Sequence, residues 1–238
     1  YYADWRLLDG EVDLAKYDTI FEEEPELPPQ IIDMPDNFQT LTGEKSKIKQ
    51  KALDYLYSRG LTDLDILRWK IGFCNYGTYR DRIIIPSFDH LGNLNFFIAR
   101  SYSDDWAKYK NPNVSKDVIF NDLNIDWDDD ILLVEGVFDA MKCKNAIPLL
   151  GSTLREKSKL FQKICERKPN IYICLDEDAK DKELKIAKKL REYNISVKTF
   201  SISPHADIGD MTKEEVENKK QNADFVSDLD YLKYKLNF

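Results

Sequence analysis

Two apolar runs without alternation stand out along this chain. Ile131, Leu132, Leu133 and Val134 form one, and Ile171, Tyr172, Ile173 and Cys174 form the other. Such runs read as strands buried on both faces of a parallel sheet. Each is followed by acids. Glu135 and Gly136 close the first and Asp139 follows, while Asp176 and Asp178 close the second. Ala146 to Leu150 reads as a further buried strand, and Val197 to Ile202 as a fourth. Helical segments lie between them: Phe138 to Lys144, then Leu154, Leu160, Phe161 and Ile164, then Leu184 to Tyr193. Gly151-Ser152-Thr153 is expected to open the second of these. It serves either as a backbone phosphate site or as an ordinary capped loop. In open α/β sheets ligands bind beyond the carboxyl ends of the strands. If the two strands are neighbours, Glu135, Asp176 and Asp178 converge there. Carboxylate oxygens in that number suit Mg²⁺ or Mn²⁺ working with substrate phosphates.

Upstream the period changes. Ile48, Ala52, Leu53, Leu56 and Tyr57 recur at helical spacing from Lys45, and Gly60 ends that helix. Thr62 is expected to cap a second helix through Leu64, Ile66, Leu67 and Trp69. Ile83 to Pro86 and Leu94 to Ala99 form a hairpin around the turn Asp89 to Asn93, framed by Arg80, Arg82 and Arg100. Lys108 and Lys110 follow in the stretch Ala107-Lys108-Tyr109-Lys110-Asn111-Pro112. Arg and Lys in such numbers bind phosphate through charge-assisted hydrogen bonds.

The 238 residues carry 42% hydrophobic side chains, ample for one large domain or two small ones. No apolar stretch approaches membrane-spanning length and no signal-peptide pattern is present, so no membrane association is expected. The four cysteines, Cys74, Cys143, Cys165 and Cys174, are scattered without a CxxC pair, which encodes no zinc module. Cys143 and Cys174 read as buried thiols, and a reducing, cytoplasmic setting is expected. The net charge of −8 changes meaning once it is localised. Residues 1–44 hold two basic and twelve acidic residues, a net of −10, which leaves 33 basic and 31 acidic residues, a net of +2, for residues 45–238. The first segment reads as an acidic leader or linker, or as an arm that covers a basic groove when nucleic acid is absent.

Glu135-Gly136-x-x-Asp139, a βα unit, and Asp176-x-Asp178 in this order resemble the Toprim fold of primases, topoisomerases and related nucleases. Tyr55-Leu56-x-x-Arg59-Gly60-Leu61, the arginine-framed hairpin and the lysine stretch resemble the amino-terminal part of DnaG-type primase cores. The resemblance covers roughly residues 50 to 215. It implies an α/β chain: a Toprim subdomain, Rossmann-like with a mostly parallel sheet, preceded by a smaller α+β subdomain. The expected boundaries are 1–44 for the leader, 45–130 for the α+β subdomain, 131–211 for the Toprim subdomain and 212–238 for two closing helices. Phe225, Leu229, Leu232 and Leu236 form the apolar stripe of those helices.

The resemblance further implies a DNA primase of phage type, a nucleotidyltransferase that polymerises ribonucleotides on single-stranded DNA. Glu135, Asp176 and Asp178 would be catalytic, and these with Asp207 or Asp210 would bind the metal. Glu135 is either ligand or general base. Arg82, Arg100, Lys108 and Lys110 would hold triphosphate or template, and Arg59 is either a surface residue or a template contact. The family's partners would be single-stranded template, ribonucleoside triphosphates, a replicative helicase, and a zinc-binding module outside this chain. The alternative is a Toprim metal-dependent nuclease acting on DNA or structured RNA.

Overall fold

In the computed structural model, residues 28–43, 46–103, 105–151, 153–205 and 208–227 are described, together with 229, 232 and 236. The chain divides into a unit of residues 1–30 and a unit of residues 31–238. All that follows concerns the second. The leader's acidic residues before Leu27 lie outside the described residues.

The unit contains two sheets. The first is antiparallel, ordered β1 (Gln39–Thr40), β2 (Gly72–Cys74), β3 (Arg82–Phe88) and β4 (Leu94–Ser101). Two helices cover one face, α1 (Lys47–Ser58) and α2 (Asp63–Arg68). Ser46 caps α1 by accepting from Lys49 N, and the chain leaves it through Gly60 at φ +74°, where Leu61 N–H reaches back to Leu56 O. Thr62 and Asp65 form a reciprocal capping box on α2.

The three successive isoleucines of β3 are explained by what lies on each side. Ile83 and Ile85 join Phe73, Phe96 and Ile98 against the helices, while Ile84 joins Cys74, Phe97 and Ala99 on the opposite face. That second face is closed by Ile32, Met34 and Phe38. Residues 31–43, expected as the end of a leader, therefore pack on this sheet, and Gln39–Thr40 form its edge strand. Gly72 is what lets them approach: a Cβ there would collide with the Phe38 ring and lie 2.5 Å from Gln39 O.

The second sheet is ordered β6 (Ala146–Pro148), β5 (Ile131–Val134), β7 (Ile171–Cys174), β8 (Val197–Thr199) and β9 (Asp224–Phe225). The first four strands run parallel, and β9 is antiparallel on the edge. Crossovers are made by α3 (Val137–Lys142), α4 (Lys159–Arg167) and α5 (Lys180–Glu192), and α6 (Lys213–Gln221) precedes β9. Ile131 and Leu133 point into one apolar cluster and Leu132 and Val134 into another, so β5 is covered on both faces. Cys174 is buried, and burial pushes the half-buried Cys143 thiol up to about 12.

Two expectations are corrected. The helix after β6 starts at Lys159 on the cap Ser158, so Gly151 and Thr153 lie in a loop and open no helix. After α6 the chain first forms the edge strand β9, which the expectation of two successive helices did not include, and Leu229 and Leu232 beyond it are helical. Phe225, Leu229, Leu232 and Leu236 are all more than half exposed, so among the described residues the stripe takes no part in the core. Among the described residues no helix is long and apolar enough to cross a membrane.

Candidate active site

The order β6-β5-β7-β8 puts the topological switch between β5 and β7. The chain leaves β5 for β6 on one side and returns to β7 on the other. Val134 and Cys174 are register partners, so Glu135 and Asp176 emerge at the carboxyl ends of adjacent parallel strands, beside the crevice where such sheets bind ligands. Gly136 caps α3, and its N–H donates to Asp139 Oδ2 at 2.9 Å. Asp139 thus holds the turn that presents Glu135. A Cβ on Gly136 would lie 3.0 Å from that same oxygen.

Glu135 is half-buried. Its Oε1 accepts from Lys182 Nζ at 3.0 Å. Its Oε2 is buried and finds no hydrogen-bond partner among the described residues. An unpartnered buried carboxylate oxygen is costly unless something cationic or protic meets it. Asp176 opens the 3-10 turn Glu177–Ala179, which runs directly into α5 and leaves Asp178 exposed. Asp210 is exposed in the turn Ile208–Asp210, which packs on α3. Asp207 lies outside the described residues.

Sequence reasoning missed two residues on α5. Lys182 supplies the cation that faces Glu135. Glu183 is 2% exposed, pairs with Lys180, and accepts from Leu175 N at 3.3 Å, one residue before Asp176. It thereby anchors the strand end that carries the acids. Burial pushes its carboxyl upward against the opposing pull of Lys180 and the Leu175 amide. A signal for Glu183 was present: it shares the buried face with Ala187 and Leu190, at positions i, i+4 and i+7. Lys182 follows Asp178 by four residues, the spacing at which side chains on one helix face meet.

The basic hairpin divides into a buried and an exposed part. Arg82 is 3% exposed and is spent on the loop above it, donating to Ala107 O at 2.9 Å and to Asp105. Expected as a ligand contact, Arg82 is here bonded to the backbone that leads into Lys108. Arg100 donates to Tyr55 Oη at 2.9 Å, and its guanidinium lies 4.7 Å from the Tyr109 ring centre. Tyr109 bridges to Arg100, with Ser101 N bonded to Lys108 O and Lys110 N bonded to Ala99 O. The lysine stretch is thus tied to β4 by a single β-bridge at Tyr109, and both Lys108 and Lys110 are exposed. Arg59 stacks on Phe138 at 5.1 Å.

One cleft of about 320 Å³ joins the two halves. Phe96, Ile98, Tyr109 and Lys116 line it from the hairpin side, and Glu135 and Phe138 from the strand ends. Among the described residues no group of three or more His, Cys, Asp or Glu side chains could hold a metal ion. Mg²⁺ keeps several waters and is held by one or two carboxylates plus substrate phosphates. The unpartnered Glu135 Oε2 is an oxygen of the required kind.

No protein-family model matches the chain. Over a 200-residue alignment it is 26% identical to a DNA primase of Staphylococcus epidermidis, taking in 62% of this chain and 33% of that one. The chain thus spans about a third of the length of this curated relative. Among solved structures it is similar to a DnaG primase catalytic domain bound to single-stranded DNA. There the TM-score is 0.62 at 18% identity, covering 76% of this chain and 74% of that one. It is also similar to the zinc-binding and RNA polymerase domains of the Aquifex aeolicus primase. That match has a TM-score of 0.64 at 17% identity, over 74% of this chain and 57% of the other. The fold is that of the DnaG-type catalytic core, a Toprim sheet with a smaller α+β part before it.

Proposed function

We propose that this chain, which has the fold of DnaG-type primase catalytic cores, is a DNA primase core that synthesises short RNA primers on single-stranded DNA. One observation carries the reading furthest. Glu135 and Asp176 leave adjacent parallel strands at the switch point, and Glu135 opens into the same cleft as the Tyr109 and Lys116 wall. A site for nucleotidyl transfer needs that pairing of an acidic and a basic side.

Glu135 and Asp176, at the ends of adjacent strands, would hold Mg²⁺ or Mn²⁺ together with substrate phosphates, and Asp178 with Asp207 or Asp210 would join only once nucleotide and ion are bound. When bound, such an ion neutralises charge growing on the phosphoryl oxygens and orients them for in-line attack. Glu135 Oε2 either ligates it or accepts the proton of the 3′-hydroxyl. Asp139 and Glu183 keep the two strand ends in place, through Gly136 N–H and Leu175 N–H respectively. Arg100, Lys108 and Lys110 pair with backbone phosphates of template or triphosphate, while Arg82 acts only through the loop it holds. The Aquifex structure joins a zinc-binding domain to its RNA polymerase domain. A comparable module, on the same parent chain or a partner, would choose the start site here.

The test is incubation with single-stranded DNA, four ribonucleotides and Mg²⁺ or Mn²⁺, with products resolved on a sequencing gel. Short RNA is expected from the wild type. Glu135→Gln is expected to lose at least about 10²-fold, with its circular dichroism and melting unchanged. Cleaved template without new RNA would replace this reading with a Toprim nuclease. An unimpaired Glu135→Gln would remove the site assignment.

A further inference from the structure

The loop that links β4 to the lysine stretch presents a tryptophan to solvent. Trp106 is 96% exposed. A free indole on a slack loop would fold back onto apolar surface, because aromatic side chains gain more from burial than almost any other. Here the backbone on either side is pinned. Ala107 N–H donates to Asp105 Oδ1 at 3.0 Å, closing a turn across Trp106. Beneath, the buried Arg82 grips both Asp105 and Ala107 O. The buried guanidinium thus fixes the backbone on both sides of this exposed residue.

Its surroundings define what it would meet. Among the described residues of this loop, Asp105 is paired with Arg82, and the cations that follow Trp106 along the chain are the exposed Lys108 and Lys110. The sequence Trp106-Ala107-Lys108-Tyr109-Lys110 interleaves rings and cations. Tyr109 is half exposed, backed by Arg100, and enters the cleft that contains Glu135. Surfaces that bind single strands without reading sequence combine a cationic track for the backbone with aromatic faces on which bases stack.

We propose that Trp106 is a stacking platform for an unpaired base of the single-stranded DNA template as it passes Lys108 and Lys110 toward the cleft. The proposal rests on the primase reading and names a contact of that same site. The indole adds affinity that is independent of base identity, and the lysines add affinity that falls with salt.

The test is fluorescence anisotropy of the whole chain with a labelled oligo(dT) of roughly 16 nucleotides, repeated across a salt series. Trp106→Ala is expected to weaken binding about tenfold, with the slope of log K against log salt unchanged. Trp106→Phe is expected to recover most of the loss, since a smaller ring still stacks. Replacing Lys108 and Lys110 by Gln is expected to flatten the salt slope. Unchanged affinity in Trp106→Ala, or a Phe variant as weak as the Ala variant, would overturn the stacking role while leaving the primase reading intact. A wild type that neither binds oligo(dT) at low salt nor makes primers would remove both.

Discussion

At the scale of single residues, the site is an imbalance of charge held in place by its neighbours. Glu135 has one oxygen on Lys182 and the other buried without a partner among the described residues. Lys182 therefore competes with any cation that would share this carboxylate. Lys182→Met is expected to tighten Mn²⁺ binding about fivefold, since a partly buried ion pair is worth on the order of 1 kcal/mol. Isothermal titration of Mn²⁺, with no nucleotide present, reads this directly. Weaker binding in the variant would mean that Lys182 serves to position Glu135 rather than to oppose the ion. Glu183 acts differently: its buried carboxylate reaches the site only through the Leu175 amide.

At the scale of elements, the two arginines that frame the hairpin differ sharply in their surroundings. Arg82 and Arg100 both frame the hairpin, yet one is sealed inside and the other half exposed. Register explains the split. Arg82 pairs with Ser101 and Ile83 with Arg100, so the two arginines sit at neighbouring rungs of the ladder and point to opposite faces. Arg82→Ala is expected to release Asp105 and Ala107 O. Charge-assisted hydrogen bonds contribute roughly 1.5–3 kcal/mol each, so trypsin should cut after Lys108 and Lys110 at least about tenfold faster. An unchanged cleavage rate would show that the loop holds itself without Arg82.

At the scale of the whole molecule, one ion pair, between the buried Asp65 and the exposed Lys213, spans 148 positions of the chain. Asp65, on the capping box of α2, accepts from Lys213 Nζ at 2.7 Å at the start of α6. Burial alone would raise the Asp65 carboxyl, but hydrogen bonds from Lys213 and Thr62 outweigh it and hold it below the ordinary range. Because its folded pKa lies below the unfolded value of roughly 4, its contribution is complete above that pH. It is lost as pH falls through the folded value. Denaturation monitored from neutral pH down to pH 2 should therefore lose less stability in Asp65→Asn than in the wild type, from a lower starting point. Parallel pH profiles for the two proteins would exclude Asp65 as a contributor to acid sensitivity.

Much was legible in the sequence because it depends on neighbours close along the chain. The apolar runs of β5 and β7, the acids that end them, the capping Thr62 and the arginine-framed hairpin follow from strand and helix periods and from local hydrogen bonding. The α/β class with its parallel sheet followed from those runs, and the Toprim likeness from their order. The tertiary structure alone decided which charges face each other. The burial of Arg82, the orphaned oxygen of Glu135, the pairing of Lys182 with an acid 47 positions away, and the seating of residues 31–43 under the first sheet depend on segments distant in sequence. Periodicity assigns a residue to a face. It does not say what the fold will pack against that face, and burial and electrostatic partnership are properties of that packing.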